Sequence, residues 1–463
     1  MKNTSQIPSA AGGLPLLGHV VPLLRDPLGF LTRLPEYGDL VRVNFGPLSA
    51  LVVCDPALIG QVLRDDRTFD KGGPVYDRGR EFVGNGLATC PHRDHRRQRR
   101  LVQPAFHPTR LPGYAQTVTT RAAELTASWQ AGQILDVFAD MQKLTAKITV
   151  DTLISTTAPR DGLTEAIDAL NTIVGGLSLR MATPPPLDRL PTRGNRRYHQ
   201  ARERLPRVFR QIIAERRAAG IDHGDLLSML LAAQGPDSGP AGERLLDSEV
   251  IDQIVTFFAG GTETSGSALA WALHMLGQHP EIEKRLHAEV DTVLDGRPAT
   301  HADLPRLELT GRVLTETMRL WPPFAFFTRT CTADTRLGRY PVPAGTLIGC
   351  SPYLLQRQAD LYPDPDHFDP DRWAPNHPHP PRREAFITFG GGARKCIGDR
   401  FGMNEMVLAL ATIAARWRLQ PIPHQRVRPV FSGPTLQPSG LRMRAAARTT
   451  TSTTSAVNTA QPQ

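Results

Sequence analysis

The chain has 463 residues, of which 40% are hydrophobic, so it can bury one large core or two fused ones. No uninterrupted apolar run approaches the ~20 residues of a membrane span, and the N-terminus makes a poor signal peptide, so we expect a cytoplasmic protein. A formal charge of +9 favours an acidic partner. Paired Cys/His sites and aromatic stripes for base stacking are absent from the sequence, which argues against a nucleic-acid partner.

The first predicted element is a β-hairpin, in which "DLVRVNFG" and "ALVVC" flank the turn "PLS". The basic run "HRDHRRQRR", His92 to Arg100, leads into "LVQPAF" and is typical of one short helix that ends near Pro104. From just after Gly113 to about Leu320, apolar residues recur at the spacing of helices, and after Thr330 the sequence becomes proline-rich strand and loop. We therefore predict an α+β fold that is predominantly α-helical, with a small β-rich part.

Two segments do not fit regular structure. "RMATPPPLDRLPTRGN", from Arg180 to Asn195, has too many prolines to continue either neighbouring helix, and we expect a mobile lid there. The tail "TTTSTTSAVNTAQPQ" is too polar to pack. The sequence thus predicts a single domain over residues 1–448, followed by a disordered polar tail over residues 449–463.

The five cysteines lack the spacing of a disulfide framework, so we expect reduced thiols. One of them, Cys396, lies in the glycine-rich stretch "FGGGARKCIG", Phe389–Gly398. A lone cysteine cannot build a zinc site, but one thiolate is enough as the axial ligand of a haem iron. The glycines let the backbone approach a flat macrocycle, and the helix that follows favours a negative sulfur. The alternative is a glycine-rich turn around a buried structural cysteine.

Two further motifs distinguish between these interpretations. "ETMR" places Glu316 and Arg319 one helical turn apart, and it is followed by "LWPPFAFFTRT", by "HFDPDRW" and then by the cysteine loop. In that order the set resembles the cytochrome P-450 family of haem-thiolate monooxygenases, from about Gly12 to Arg444. The loop fits the family pattern Phe-x-x-Gly-x-Arg-x-Cys-x-Gly at Phe389, Gly392, Arg394, Cys396 and Gly398.

The resemblance implies a cytochrome P-450 fold and a role for each matching residue. Cys396 is expected to be the proximal ligand of the iron of haem b. Glu316, Arg319 and Arg372 of "DPDRW" are expected to form a buried structural cluster, because buried charges are tolerated only when paired. Many family members have tryptophan at the position of His95. The expected haem-binding residues are Cys396, Phe389, Arg394, His95, Arg99 and Arg329.

The segment "GGTETS", Gly260–Ser265, resembles the family's oxygen-binding segment. Two glycines and several hydroxyl side chains in mid-helix predict a local bulge with room for dioxygen and water. Thr264 is expected to donate a hydrogen bond to the bound oxygen, and Glu263 is expected to relay protons from solvent, so both are predicted to be catalytic. The alternative is a threonine that bonds back to the carbonyl four residues earlier.

The predicted substrate pocket is apolar. Phe257, Gly260 and Thr264 share one helix face, and "FAFF" from Phe324 to Phe327 lies where the family lines its pocket. The glycine-punctuated loop with Phe82, Val83 and Leu87, before the basic helix, is expected to close the pocket. Plain core packing is the alternative. The predicted substrate residues are Phe82, Phe257, Gly260, Phe324 and Phe326. Few charges occur there, which favours a compact apolar molecule, and the sequence is similar to bacterial terpene-pathway hydroxylases of secondary metabolism.

We therefore predict a haem-dependent monooxygenase that uses O2 to hydroxylate an unactivated C–H bond. Ferredoxin and ferredoxin reductase are the expected electron donors, docking on a positive surface made by Arg394, Lys395 and Arg96, Arg97 or Arg100, and no oligomer is expected. The alternatives are a haem-thiolate enzyme that isomerises, dehydrates or couples, and a hydroxylase of a fatty acid or macrolide. A basic binding protein without catalysis is an alternative from another class.

Overall fold

The structure is a computed structural model that describes residues 7–154, 160–182, 190–233, 245–432 and 435–448. Residues 183–189 of the predicted lid and the whole predicted tail, 449–463, lie outside the described residues. No helix in the described part of the chain combines the length and the hydrophobicity that crossing a membrane requires.

Helices make up most of the described chain, which confirms the predicted fold class. The basic run forms one helix, α5, that ends two residues before Pro104, as predicted. The helices are α1 (Val20–Arg25), α2 (Pro27–Thr32), α3 (Pro56–Arg64), α4 (Pro74–Val83), α5 (His92–Val102), α6 (Leu111–Ala127), α7 (Val137–Leu153), α8 (Arg160–Ala182), α9 (Arg193–Ala219), α10 (Leu226–Ala232), α11 (Asp247–Gln278), α12 (Pro280–Leu294), α13 (Glu308–Leu320), α14 (Pro352–Leu355) and α15 (Asp399–Arg416).

The strands form small sheets at the edge of the helical body. The strands are β1 (Leu40–Phe45), β2 (Leu48–Val53), β3 (Phe69–Asp70), β4 (Ile134–Asp136), β5 (Phe327–Cys331), β6 (Thr335–Leu337), β7 (Tyr340–Val342), β8 (Leu347–Cys350), β9 (Trp417–Pro421), β10 (Arg428–Ser432), β11 (Thr435–Ser439) and β12 (Arg442–Ala447). The predicted hairpin is the antiparallel pair β1 and β2, which belongs to a sheet of order β1-β2-β8-β5-β3. β4-β12-β9 form a second sheet, and β10-β11 and β6-β7 are hairpins.

The central helix α11 runs through the interior, and most of its 32 residues are buried. It crosses α7 closely, because a Cβ atom on Gly261 would lie 2.8 Å from Oγ1 of Thr149, and one on Gly266 would lie 3.2 Å from Cα of Gln142. The predicted bulge was wrong, since α11 is a continuous α-helix through Gly260–Ser265. The glycine at 261 thus serves close helix packing instead of loosening the helix.

Candidate active site

The cysteine loop, Phe389–Gly398, packs as a tight turn against the end of α3 and leads into α15. Gly390 and Gly392 have φ angles of +70° and +62°, a region that favours glycine. A Cβ atom on Gly392 would lie 1.9 Å from the carbonyl oxygen of Leu63, so only glycine fits there. The Cys396 amide donates to the Phe389 carbonyl at 2.9 Å. This bond closes the loop and fixes the direction of the thiol.

Cys396 differs from the other cysteines in its surroundings. Its side chain is exposed, whereas the other four cysteines are buried, and all five are free thiols. Removal from bulk water is nevertheless the main cause that raises the pKa of Cys396, and the Gly398 amide, which donates to the sulfur, opposes this rise. Across the described ranges, no group of three or more His, Cys, Asp or Glu side chains is arranged to hold a metal ion.

Glu316, Arg319 and Arg372 lie together in a buried charge cluster. The Arg319 guanidinium donates to both carboxylate oxygens of Glu316 at 2.8 Å, and Arg372 Nε donates to one of them at 3.0 Å. Arg319 also donates to the backbone carbonyls of Gln356 and Pro365, at 2.8 and 2.6 Å. The cluster therefore ties α13 to the loops that precede the cysteine loop.

Several cations gather beside the cysteine loop. His95 is buried, and its Nδ1 atom has no hydrogen-bond partner in the described structure. Burial, followed by the charges of Arg394, Lys71 and Arg99, lowers the pKa of His95 to about 3. Arg99 donates to the Lys395 carbonyl at 2.6 Å, so α5 is fixed to the loop. These groups form a positive site with unused hydrogen-bonding capacity.

Two of the predicted haem-binding arginines have protein partners. Arg329 on β5 is buried and donates to the Tyr76 hydroxyl at 3.0 Å. Arg394 is buried and donates to the carboxylates of Asp66 and Asp70 at 3.1 and 2.7 Å. These bonds let Arg394 brace the loop against β3 and the turn before it, and the predicted contact of Arg394 with a propionate stays a prediction.

Thr264 adopts the alternative arrangement considered from the sequence. Its Oγ1 donates to the carbonyl of Gly260 at 2.6 Å. While its O–H group donates to the Gly260 carbonyl, the hydroxyl oxygen retains lone pairs that can accept a hydrogen bond. Gly260 itself is exposed in mid-helix, and a Cβ atom there would meet nothing within 4 Å. The face of α11 that carries Gly260 therefore opens onto free space.

Glu263 is a buried acid, 4% exposed, next to Thr264 on α11. Its Oε1 accepts a hydrogen bond from Gln142 Nε2 at 3.2 Å, and its Oε2 accepts one from Gln437 Nε2 at 2.8 Å. Burial raises the pKa of Glu263 to about 7, and the two amide hydrogen bonds oppose the rise. The group is therefore poised to gain or lose a proton near neutral pH.

These features belong together in a known family. The model of the cytochrome P450 family matches residues 8–444. The chain belongs to the cytochrome P450 family. Relatives with curated names agree. The chain is 44% identical over 441 residues to pentalenene oxygenase of Streptomyces avermitilis, covering 95% of this chain and 97% of that protein. It is 45% identical over 416 residues to cyclooctat-9-en-7-ol 5-monooxygenase of Streptomyces melanosporofaciens, covering 90% of each.

This membership confirms the predicted cytochrome P450 monooxygenase, an enzyme that uses O2, a redox partner and a haem-thiolate iron. The residues present fit that cofactor. The cysteine loop presents an exposed thiol, and the unpartnered Nδ1 of His95 lies among cations that suit anionic propionates. The similarity to bacterial terpene hydroxylases that we expected is also confirmed by the two named relatives.

The structure adds residues to this cytochrome P450 site that sequence analysis missed. Lys71 lies among the same cations, and burial, followed by the charges of Arg329 and Arg394, lowers its pKa to about 7. Glu405 on α15 is fully buried and accepts a hydrogen bond from Ser265 Oγ at 2.9 Å. Its Oε1 atom has no partner in the described structure, and burial raises the pKa of Glu405 to about 8. The sequence shows that residues 71 and 405 are charged, but it does not show that both are buried at the site.

The predicted substrate residues do not all lie together. Phe82 and Phe257 pack against the same apolar cluster, and the Phe257 ring meets that of Phe106 at 5.2 Å. Phe82 is in the last turn of α4, not in the loop we expected, and the loop begins at Gly84. Phe324 forms a β-bridge with Thr435. The structure does not bring Phe326 to this group.

Phe326 belongs to the sheet core. It packs against the apolar cluster that contains Val43 and Val52 of β1 and β2. A Cβ atom on Gly349 would lie 2.5 Å from Cζ of Phe326, so the ring covers that glycine of β8. Phe326 therefore supports the sheet behind the site.

A basic cleft of about 770 Å³ opens on the outer side of the cysteine loop. It is lined by cations of α5, by Arg110 and by Gly392, and no Asp or Glu occurs among the described residues that line it. Arg96 and Arg100 are exposed there. Arg97, which we also considered for the docking surface, does not line this cleft, and its guanidinium forms an ion pair with Glu249.

Proposed function

We propose that this cytochrome P450 hydroxylates an unactivated C–H bond of an apolar terpenoid, such as a sesquiterpene of secondary metabolism. The observation that carries the proposal is the similarity, at 44 and 45% identity over at least nine-tenths of the chain, to two oxygenases whose names specify terpenoid substrates. The apolar surroundings of Phe257 and the open face at Gly260 support it.

Cys396 is the residue that would hold the iron, because its thiol is free and exposed and a backbone hydrogen bond closes the glycine-rich loop around it. His95, Arg99 and Arg329 would hold the propionates, with Lys71 as a further cation of the same group. When bound, the haem would supply the activation of dioxygen, to which the thiolate of Cys396 would contribute electron density. Arg394 acts on this site through Asp66 and Asp70, which brace the loop.

Thr264 and Glu263 handle protons in this proposal. The Thr264 hydroxyl donates its hydrogen bond to the Gly260 carbonyl. Its oxygen can therefore accept a hydrogen bond from a water molecule or another donor in the space above Gly260. Glu263 is a proton donor with a pKa of about 7, close to neutral pH.

The substrate binds mainly by apolar burial. Aromatic rings such as Phe257 and Phe82 offer area and shape but no hydrogen-bond partner, so affinity comes from burial at ~25 cal/mol per Å². Discrimination between similar hydrocarbons is then modest, since one methylene is worth only ~1–3 kcal/mol in an apolar pocket. A carboxylate or a large polar macrolide gains little there.

An acidic ferredoxin is the proposed electron donor, itself reduced by a ferredoxin reductase. Its docking surface is the basic cleft, where Arg96 and Arg100 are exposed beside the cysteine loop. Opposite charge on the two proteins steers their encounter and fixes their orientation. Docking at the cleft brings the electron donor beside Gly392 and Ala393 of the cysteine loop.

The test is a titration of the purified haem protein with a small panel of sesquiterpenes, fatty acids and macrolides, followed by product analysis. A cyclic terpene hydrocarbon or its mono-alcohol should shift the haem absorbance spectrum and yield a hydroxylated product. A clear preference for a fatty acid or macrolide would overturn the terpenoid proposal. Products of isomerisation, dehydration or coupling without a new hydroxyl group would overturn the proposed hydroxylation.

A further inference from the structure

The Glu263 carboxyl is held on both oxygens by neutral groups only. Gln142 comes from α7 and Gln437 from β11, and each donates one amide hydrogen bond to a different carboxylate oxygen. In the described part of the chain, Glu263 has no ion pair, and no charged group contributes to the shift of its pKa. A buried acid is ordinarily paired with a cation, so this neutral pairing calls for a reason.

The charged residues on the elements that pack against Glu263 do not reach it. α7 carries Asp140, Lys143, Lys147 and Asp151; the two lysines are exposed, and Asp151 forms an ion pair with Arg121. β11, with the sequence TLQPS, carries no charge. On α15, Glu405 accepts a hydrogen bond from Ser265 Oγ. The environment of the Glu263 carboxyl is therefore set by burial and the two amides.

The α7 backbone that carries Gln142 and the amide of Gln437 are held by other contacts. On the α7 side, Thr145 Oγ1 donates to the Thr262 carbonyl at 2.8 Å, and the closely packed Gly266 lies over the Gln142 backbone. On the β11 side, Gln437 Nε2 also donates to Thr435 Oγ1 at 3.1 Å. The pair of glutamines is thus a preorganised feature of the helix crossing.

A hydroxyl and an aromatic N–H fasten β11 to the central helix beside Gln437. Ser267 Oγ donates to the Leu436 carbonyl at 2.6 Å, and Trp271 Nε1 donates to the same carbonyl at 3.4 Å. The strand that carries Gln437 therefore cannot shift along α11 without breaking buried hydrogen bonds.

Neutral amides and cations have different effects on a buried acid. A cation at this distance would stabilise the carboxylate strongly and keep it ionised at neutral pH. An amide also favours the ionised form but only in part, so it offsets some of the cost of burial and leaves the acid able to exchange a proton. A neutral pair thus positions the group without fixing its charge.

We propose that Gln142 and Gln437 form a neutral amide clamp that fixes the Glu263 carboxyl for proton delivery, and that both are positioning residues of this cytochrome P450. The inference rests on the proposed function, in which Glu263 delivers protons during hydroxylation. The clamp acts through Glu263 and touches neither substrate nor cofactor.

The test begins with Glu263→Gln in the haem-containing enzyme, measured as product formed per reducing equivalent consumed. A fall in this coupling shows that Glu263 delivers protons. Unchanged coupling would overturn both the proton-delivery role and the clamp that depends on it. This step decides the proposed function of Glu263 before the clamp is examined.

The second step titrates Glu263 directly, by the infrared carbonyl band of the protonated acid that is present in wild type and absent in Glu263→Gln. Gln437→Met and Gln142→Met, made separately, should each raise the titration midpoint by about one pH unit, because a bond that favours the ionised form is lost. Gln142→Lys should lower the midpoint by at least as much. The pH profile of coupling should move with the midpoint in each variant.

The control is Gln116→Met, which removes an exposed glutamine on α6 and should change neither the midpoint nor the profile. If coupling depends on Glu263 but the midpoint stays constant in both methionine variants and in Gln142→Lys, the clamp is refuted and the proposed function stands. Three variants with opposite expected signs keep this conclusion available even where one of them fails to fold.

Discussion

Replacing Glu405 by glutamine should make the stability of the protein less sensitive to pH. Glu405 is 1% exposed, and one of its oxygens accepts a bond from Ser265 Oγ at 2.9 Å while the other has no partner in the described structure. Burial raises the pKa of Glu405 to about 8. Glutamine has nearly the same shape and can still accept the serine bond, but it does not titrate.

The sign follows from proton binding. A glutamate in the unfolded chain ionises near pH ~4.3, whereas Glu405 in the folded protein holds its proton up to about pH 8. Between these two values the unfolded state binds fewer protons than the folded state, so the free energy of unfolding falls as pH rises, by ~1.4 kcal/mol per unit. From pH ~5 to pH ~8 the loss through this one residue amounts to about 3 to 4 kcal/mol.

The assay is urea denaturation of the haem-containing protein at these two pH values, with the free energy of unfolding taken by linear extrapolation. The wild type should lose about 3 to 4 kcal/mol more than Glu405→Gln between the two pH values, because all other titrating groups are shared. Glu384→Gln, an exposed change near the cysteine loop, is the matched control and should follow the wild type. An equal loss in wild type and Glu405→Gln would refute the inference that Glu405 is neutral when folded.

The remaining predictions concern the site. Cys396→Ala should abolish the reduced carbon-monoxide spectrum of a thiolate ligand together with all hydroxylation, and an active variant with an unchanged spectrum would contradict the ligand assignment. Thr264→Ala should still bind haem and substrate but lower product per reducing equivalent about tenfold or more, with free hydrogen peroxide measured in its place, whereas equal coupling would make Thr264 a plain helix residue. Arg96→Glu and Arg100→Glu should each slow reduction by an acidic ferredoxin about tenfold at low salt, without changing substrate affinity. The effect should be smaller at physiological salt, where the Debye length is only ~8 Å. Arg25→Glu on α1 is the control, and stopped-flow rates indifferent to salt and to both reversals would exclude the basic cleft as docking surface.

The parts of the site that sequence analysis predicted correctly are local in the chain. The cysteine loop spans ten residues, and its glycine positions follow from the turn itself, as the positive φ angles of Gly390 and Gly392 show. Glu316 and Arg319 lie three residues apart on one helix, so their pairing follows from helix geometry. The helical body and the β-hairpin follow from periodicity in the same way.

The parts that could not be predicted depend on contacts between distant segments. Gln142 and Gln437 lie 121 and 174 positions from Glu263, and Glu405 lies 140 positions from Ser265. No spacing rule joins such residues, and glutamine carries no chemical signal of its own. The ion pair of Arg97 with Glu249, 152 positions away, was missed for the same reason. The charge of a residue was readable from the sequence, but its partner was not.

The distribution of buried charge explains how one site serves two opposite electrostatic requirements. Beside the cysteine loop, Lys71 and His95 lie buried among arginines, and the pKa values of both are lowered although Asp66 and Asp70 lie nearby, which marks a place where positive charge outweighs negative. Glu263 on the central helix and Glu405 on α15, which contacts that helix through Ser265, lie among neutral partners. The pKa values of both are raised, which marks a place that retains protons. A single mixed network would pair these cations and acids and cancel both effects. Keeping them apart lets the cationic side bind an anionic cofactor while the acidic side keeps protons available next to Thr264.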